Sequence, residues 1–316
     1  MTRMIIASQL DDAFNTVIAD QVADVDIVSA PRGAPAELPV GAEVLVAAPF
    51  RRAGGLLPAR PPAGWPFDLK WVQLVSVGID FYPPWLFDGP VVTCARGSSA
   101  VALAEFALGA ILAAAKRFPD IWIQRASDWT PQPLQMVSGS TLGLVGFGSI
   151  GEALAPSAQA LGMKVIAVRR SDAPIAAPWV ERAASLRDLF ERSDHVVLAA
   201  PATPETVGIV GRALLAHAKP GLHLINVARG ALIDDQALLE ALDTGRVGLA
   251  SLDVTHPEPL PDGHPFYRHP RVRLSPHTSV HTQDTRLNLA ARFAENLGRF
   301  RLGAPLADVV DPARGY

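Results

Sequence analysis

A chain of 316 residues, 49% of them hydrophobic and only 19% charged, can fill two packed cores and is not that of a disordered protein. Its net charge of −3 lacks the basic footprint of a nucleic-acid partner. One cysteine, Cys94, excludes an internal disulfide and fits a reducing compartment. It reads as a small core residue in preference to a nucleophile, because nothing near it in sequence would lower its pKa.

The opening MTRMIIASQL has too short an apolar run for a secretory leader. The longest apolar stretch, Ala100–Ala115, is interrupted by Glu105 and is short for a bilayer. A cytoplasmic protein without membrane partners is expected. RMIIAS, EVLVAAP and WVQLVSVGID read as strands, with a helical stretch from about Asp11 between the first two. This alternation predicts a small α/β unit around a parallel sheet. Arg51–Asp68, rich in Pro and Gly, reads as an irregular loop, and Ser98–Arg117 as one long, largely buried helix.

A second α/β series starts at Thr141. TLGLVGFG, KVIAV, HVVLAA, GLHLINVA and GLASLDV read as strands with helical segments between them, such as Asp234–Asp243. The expected fold class is α/β, with two Rossmann-like doubly wound domains. The last helix, about Thr282–Leu302, leads to a tail that returns to the first unit. The expected division is 1–98 with 288–316 for a substrate domain, and 99–287 for an inserted dinucleotide-binding domain.

Gly146-Phe147-Gly148-Ser149-Ile150-Gly151 matches G-x-G-x-x-G between a strand and a helical segment, the context that gives the pattern meaning. Gly146 permits the tight turn, Gly148 a close approach to pyrophosphate, and Gly151 close helix–strand packing. Ser149 and Ile150 open the helix whose N–H groups would face the phosphates. Pro156, inside that helix, calls for a kink or a short first segment.

Three residues then follow predicted strands: Arg229 in LINVARGALIDDQAL, Glu258 in SLDVTHPEPLP and His277 in LSPHTSV. Loops at the carboxyl ends of parallel strands line the ligand crevice of such sheets. A guanidinium can hold a carboxylate bidentately, and a histidine can exchange a proton near neutral pH. His256 is a rival acid/base. Five of the eight histidines lie between His256 and His281, yet H-E-x-x-H is absent, and no metal site is expected.

Taken in this order with TPETVGIV, these motifs resemble the D-isomer-specific 2-hydroxyacid dehydrogenase family over nearly the whole chain. The resemblance is to its glyoxylate/hydroxypyruvate reductase-like members. It implies an NAD(P)-dependent oxidoreductase acting on the CH–OH group of a small 2-hydroxy acid, or reducing the 2-oxo acid. By resemblance Arg229 binds the substrate carboxylate and carbonyl, His277 is the acid/base, and Glu258 is its partner. Val77 and Gly78 would bind substrate through backbone N–H groups. Asp253 would lie near the nicotinamide, Pro201 near the adenosine side, and Val227 against the cofactor. A homodimer is implied, with the Ala-rich helix at its interface. The formate-oxidising relative is disfavoured, because it carries glutamine where this chain has Glu258. Two other readings remain: a corepressor-like sensor of NAD(P)H, and a phosphoglycerate dehydrogenase-like enzyme without a regulatory domain.

This chain also departs from the family pattern. CARG replaces a commoner asparagine-containing turn, and Arg96 reads either as a cation facing the substrate or as a surface residue. Thr255 stands where an aromatic is commonest. Eighteen residues beyond Gly151, where the family carries an acid, stands Arg169, followed by Arg170. Arginines there would attract a 2′-phosphate, so NADP(H) is the expected cofactor, with NAD(H) possible. The rival acid, Asp172, lies well past the strand end. Substrate specificity is expected in Phe50–Trp71, around Arg96, and near Thr255.

Overall fold

The computed structural model describes residues 3–50, 57–171, 174–175 and 177–315. It contains two compact units, Met1–Ser99 with His281–Tyr316, and Ala100–Val280. In the first, β1 (Met4–Ser8), α1 (Asp12–Ala19), β2 (Val25–Ser29), β3 (Val44–Ala47), β4 (Trp71–Leu74) and β5 (Val91–Thr93) follow in order. The five strands form an all-parallel sheet ordered β2-β1-β3-β4-β5. Asp11 starts α1 by accepting the Phe14 N–H at 2.8 Å, which satisfies one of the free donors of the first turn.

The second unit opens with α2 (Ala100–Ala115) and β6 (Thr141–Val145), then α3 (Ser149–Ala160), β7 (Lys164–Val168), β8 (Glu181–Arg182) and α4 (Leu186–Arg192). It continues through β9 (His195–Leu198), α5 (Arg212–Leu215), β10 (Leu222–Asn226), α6 (Asp235–Asp243), β11 (Val247–Leu252) and β12 (Val272–Leu274). All seven strands are parallel, ordered β12-β11-β10-β9-β6-β7-β8. Period-2 alternation divides the core. Val196, Leu198 and Leu224 pack with α4, α5 and α6, whereas Val197 and Ile225 pack with α2 and α3. Both faces are covered, which is why β9 and β10 are continuous apolar runs broken only by His195, His223 and Asn226.

The second crossing between units falls before α7 (Gln283–Arg301), not at 287–288 inside it. The physical reason is that α7 is one continuous helix packed on α1. It buries Leu289, Ala290, Phe293 and Leu297 in the core of the first unit, and Phe293 stacks on Trp71 at 5.1 Å. Pro156 does not split α3, which runs unbroken over Ser149–Ala160. It lies on the exposed side with Glu152, whose carbonyl loses its helical donor there and can face water.

The strand order reverses between β6 and β9, the place where open α/β sheets bind ligands. Gly146 leaves β6 at φ +96°, and a Cβ there would lie 2.8 Å from the Ala199 carbonyl oxygen beyond β9. Only glycine fits.

Candidate active site

Each expected site residue of the second unit follows a strand's carboxyl end. The glycine turn follows β6, Arg169 and Arg170 follow β7, and Pro201 follows β9. Val227 and Arg229 follow β10, Asp253 and Glu258 follow β11, and His277 follows β12.

At the glycine turn, Gly148 is the N-cap of α3 and supplies no side-chain cap, so N–H groups of the first turn remain available. A Cβ on Gly148 would meet no atom within 4 Å. Open space in front of uncapped helix donors fits a pyrophosphate. Gly151 lies against Phe147, 3.1 Å from where its Cβ would be, in keeping with close packing. Arg169 bonds the Pro174 carbonyl at 3.5 Å, while Arg170 is exposed and close enough to Glu205 to help hold that carboxyl below its usual range. The largest cause of that shift is the hydrogen bond from the Thr203 hydroxyl. Pro201 accepts the Thr206 hydroxyl at 2.7 Å, and Val227 is buried. Asp172 lies outside the described residues, as do 51–56 of the expected specificity segment.

His277 and Glu258, expected to act together, are brought into contact. His277 Nδ1 stands 3.0 Å from Glu258 Oε2, and Glu258 Oε1 accepts the Thr255 N–H at 3.1 Å. Burial works to raise the Glu258 carboxyl. The His277 hydrogen bond and charge, the Thr255 N–H and the Arg229 charge outweigh it and hold it below the usual range.

Arg229 is set by its own turn. Asn226, fully buried at the end of β10, donates from Nδ2 to the Arg229 carbonyl at 2.8 Å and accepts the Ala228 N–H at 3.0 Å. Gly230 brings this turn against the Glu258 loop, since a Cβ there would lie 2.0 Å from the Thr255 carbonyl carbon. His277 has a left-handed backbone, φ +50°, and donates its N–H to the Asp253 carbonyl at 2.9 Å.

Asp253 is 1% exposed. Its carboxylate accepts the Ser275 hydroxyl at 2.6 Å, the N–H groups of Thr278 and Ser279 at 3.0 and 3.1 Å, and the Ser279 hydroxyl. Burial would raise this carboxyl, and these four donors outweigh it and hold it low. Sequence reasoning missed Asn226, Ser275, Thr278 and Ser279, although each lies inside a motif singled out for its neighbour.

A model of the D-isomer specific 2-hydroxyacid dehydrogenase NAD binding domain matches residues 108–279, more than half of the chain. The chain belongs to the D-isomer-specific 2-hydroxyacid dehydrogenase family. Glyoxylate/hydroxypyruvate reductase A of Serratia proteamaculans is 35% identical over 260 residues, 78% of this chain and 82% of that protein. Glyoxylate reductase of Aeropyrum pernix is 36% identical over 68% of each chain. D-3-phosphoglycerate dehydrogenase of Synechocystis is 33% identical, but only 45% of its length is covered. Among solved structures, a D-isomer specific 2-hydroxyacid dehydrogenase from Xanthobacter autotrophicus in complex with NADPH and MES is 26% identical. It matches all of both chains with a TM-score of 0.81. The chain is accordingly an oxidoreductase with a nicotinamide dinucleotide site.

Other residues singled out in this 2-hydroxyacid dehydrogenase have plain local partners. Val77 and Gly78 follow β4 in the first unit, where Ser76 Oγ donates to the Gly78 carbonyl at 2.8 Å. Arg96 Nε stands 3.4 Å from Asp308, which Arg292 also meets at 3.1 Å. Cys94 is fully buried, and burial pushes its thiol up. His256 and His281 are exposed, and the Thr255 hydroxyl donates to the Pro257 carbonyl at 3.0 Å. Among the described residues no three His, Cys, Asp or Glu side chains group as a metal site, and no helix is long and apolar enough to cross a membrane.

Proposed function

We propose that this chain is an NADP(H)-preferring reductase of small 2-oxo acids such as glyoxylate or hydroxypyruvate, working reversibly on the D-2-hydroxy acids. The observation that carries the reading is the His277–Glu258 pair at 3.0 Å, with Arg229 close enough to lower the same carboxyl. Arg229 holds the substrate carboxylate and polarises the ketone. His277 Nε2 donates a proton to the C2 oxygen, and Glu258 keeps the ring oriented. A bound dihydronicotinamide supplies the hydride to C2. Gly146, Gly148, Ser149, Ile150 and Gly151 would receive its pyrophosphate. Arg169 and Arg170 would favour a 2′-phosphate, as the relative with NADPH supports.

The test is a panel of glyoxylate, hydroxypyruvate, pyruvate and 3-phosphohydroxypyruvate with NADPH and with NADH. Turnover of the first two with NADPH is expected. A preference for NADH sinks the cofactor assignment, and a preference for the phosphorylated acid supports the phosphoglycerate dehydrogenase reading that one set of relatives favours. Binding of NADPH without turnover of any acid supports a sensor.

The working form proposed is a homodimer. Trp122, Trp129 and Met136 are 64%, 79% and 75% exposed in the stretch after α2. Beside α2 a concavity of about 770 Å³ opens over β10 and β11. Large apolar side chains exposed together in one stretch argue for a covering partner. Light scattering that returns the mass of one chain overturns the dimer.

A further inference from the structure

We infer that Arg182, on the edge strand β8, is a third cation for the 2′-phosphate and so a further residue that selects NADP(H); this rests on the cofactor reading above. In a dinucleotide-binding sheet, the residue just past the second strand reads the ribose 2′ position. Here that strand is β7, and Arg169 and Arg170 come directly after it. β8 lies on the outer side of β7. The two run parallel, with Arg182 opposite Ala167, two residues before Arg169. The Ala183 N–H continues the ladder onto the Ala167 carbonyl at 2.9 Å. Neighbouring strands stand about 4.8 Å apart, well within the reach of an arginine side chain.

A bond shows where the side chain goes. Arg182 Nη2 donates to the Ser171 carbonyl at 3.1 Å, and Arg169 Nη1 donates to the Pro174 carbonyl at 3.5 Å. Guanidiniums from two neighbouring strands therefore dock on one loop, the loop that opens with Arg169 and Arg170. Arg182 is exposed, as is Arg170. Successive strand residues point to opposite faces, and Glu181, beside Arg182 in β8, turns instead to Arg192 at 2.7 Å. Like charges gathered at one loop repel, and an anionic phosphate among them relieves the repulsion. The planar fork of arginine also matches phosphate oxygens in a way that an ammonium does not. β7 and β8 lie across β6 from β10, β11 and β12, which carry Arg229, Glu258 and His277 at their ends. Arg182 therefore acts on the choice of cofactor and not on proton transfer. A strand of two residues leaves no pattern, so the sequence alone does not single Arg182 out.

The experiment titrates two nucleotides by calorimetry into the full chain as wild type, Arg182→Gln and Arg182→Lys. They are adenosine 2′,5′-bisphosphate and adenosine 5′-monophosphate, which differ only in the 2′-phosphate. KM for NADPH and for NADH is measured on the same proteins. The wild type is expected to bind the bisphosphate more tightly. That affinity should fall by about tenfold in Arg182→Gln and by about threefold in Arg182→Lys, which keeps the charge without the fork. Affinity for the monophosphate should move less than about twofold, and KM for NADPH should rise more than KM for NADH. Equal losses of both nucleotides in Arg182→Gln would mean that Arg182 only supports the loop, and would overturn the inference. An Arg182→Gln protein that keeps the wild-type preference for the bisphosphate overturns it as well, and leaves the cofactor reading standing. A wild type that binds the two nucleotides equally overturns the cofactor reading and this inference with it. Should Arg182→Gln fail to fold, Arg182→Lys decides by the same titrations.

Discussion

His223 on β10 faces His195 on β9 with Nδ1 atoms 3.3 Å apart, and its Nε2 lies 2.9 Å from the Ser251 hydroxyl on β11. Burial depresses His223 from 6.5 to about 3, and the charge of His195 adds to the effect. A histidine whose folded pKa lies below its unfolded value stabilises the fold fully above pH 6.5. That contribution is lost as pH falls from 6.5 toward 3, and it reaches roughly 5 kcal/mol at most. Urea midpoints should therefore drop between pH 7 and 4.5. His223→Phe should be less stable at pH 7, because Ser251 loses its partner, yet should lose less on acidification. Equal acid slopes for the two proteins would exclude His223 as the cause.

The His277–Glu258 pair makes a separate prediction about catalysis. His277→Ala removes the proposed proton donor and should lower kcat by about 100- to 10,000-fold, leaving NADPH affinity nearly unchanged. Glu258→Gln keeps an oxygen for Nδ1 but removes the carboxylate charge, and should lower kcat less than His277→Ala does. Retention of wild-type turnover by His277→Ala would remove it from the mechanism.

Much of this site was legible because it is local in sequence. A strand, a glycine turn and a helix follow one another from Thr141 to Ala160, and Arg229, Glu258 and His277 each follow a clear apolar run. The edge strands of the first unit's sheet were not legible. β5 has three residues, and β2 has only one buried position, so neither carries a pattern strong enough to read. The Asp253 clamp was hidden for a different reason. Its partners lie more than twenty residues along the chain, and long-range polar contacts leave no periodicity. Pro156 does not open a second segment, because local propensity says nothing about which side of a helix faces water.

Arg169 and Arg170 test the cofactor preference. Each charge-assisted hydrogen bond to a 2′-phosphate contributes about 1.5–3 kcal/mol, or roughly 10- to 150-fold in affinity. Replacing both by serine should raise KM for NADPH by at least about tenfold, with KM for NADH moving less than about threefold. Equal losses for the two cofactors would mean that the pair supports the loop and does not read the phosphate.

Gly146 and Gly148, two residues apart, should separate folding from binding. At Gly146 a side chain meets both φ +96° and the Ala199 carbonyl at 2.8 Å, so Gly146→Ala must shift the β6 turn or β9. Loss of stability and of cofactor affinity together is expected there. At Gly148 the backbone is extended, φ −113° and ψ −153°, which any residue adopts, and a Cβ meets nothing. Gly148→Ala should keep the wild-type Tm within about a degree, as surface substitutions away from special features do. Its methyl group would project into the space proposed for pyrophosphate, so NADPH affinity should still fall by about tenfold or more. Calorimetry and fluorescence titration of the two variants give the answer. A Gly148→Ala protein that binds NADPH as wild type does would move the phosphates away from the first turn of α3.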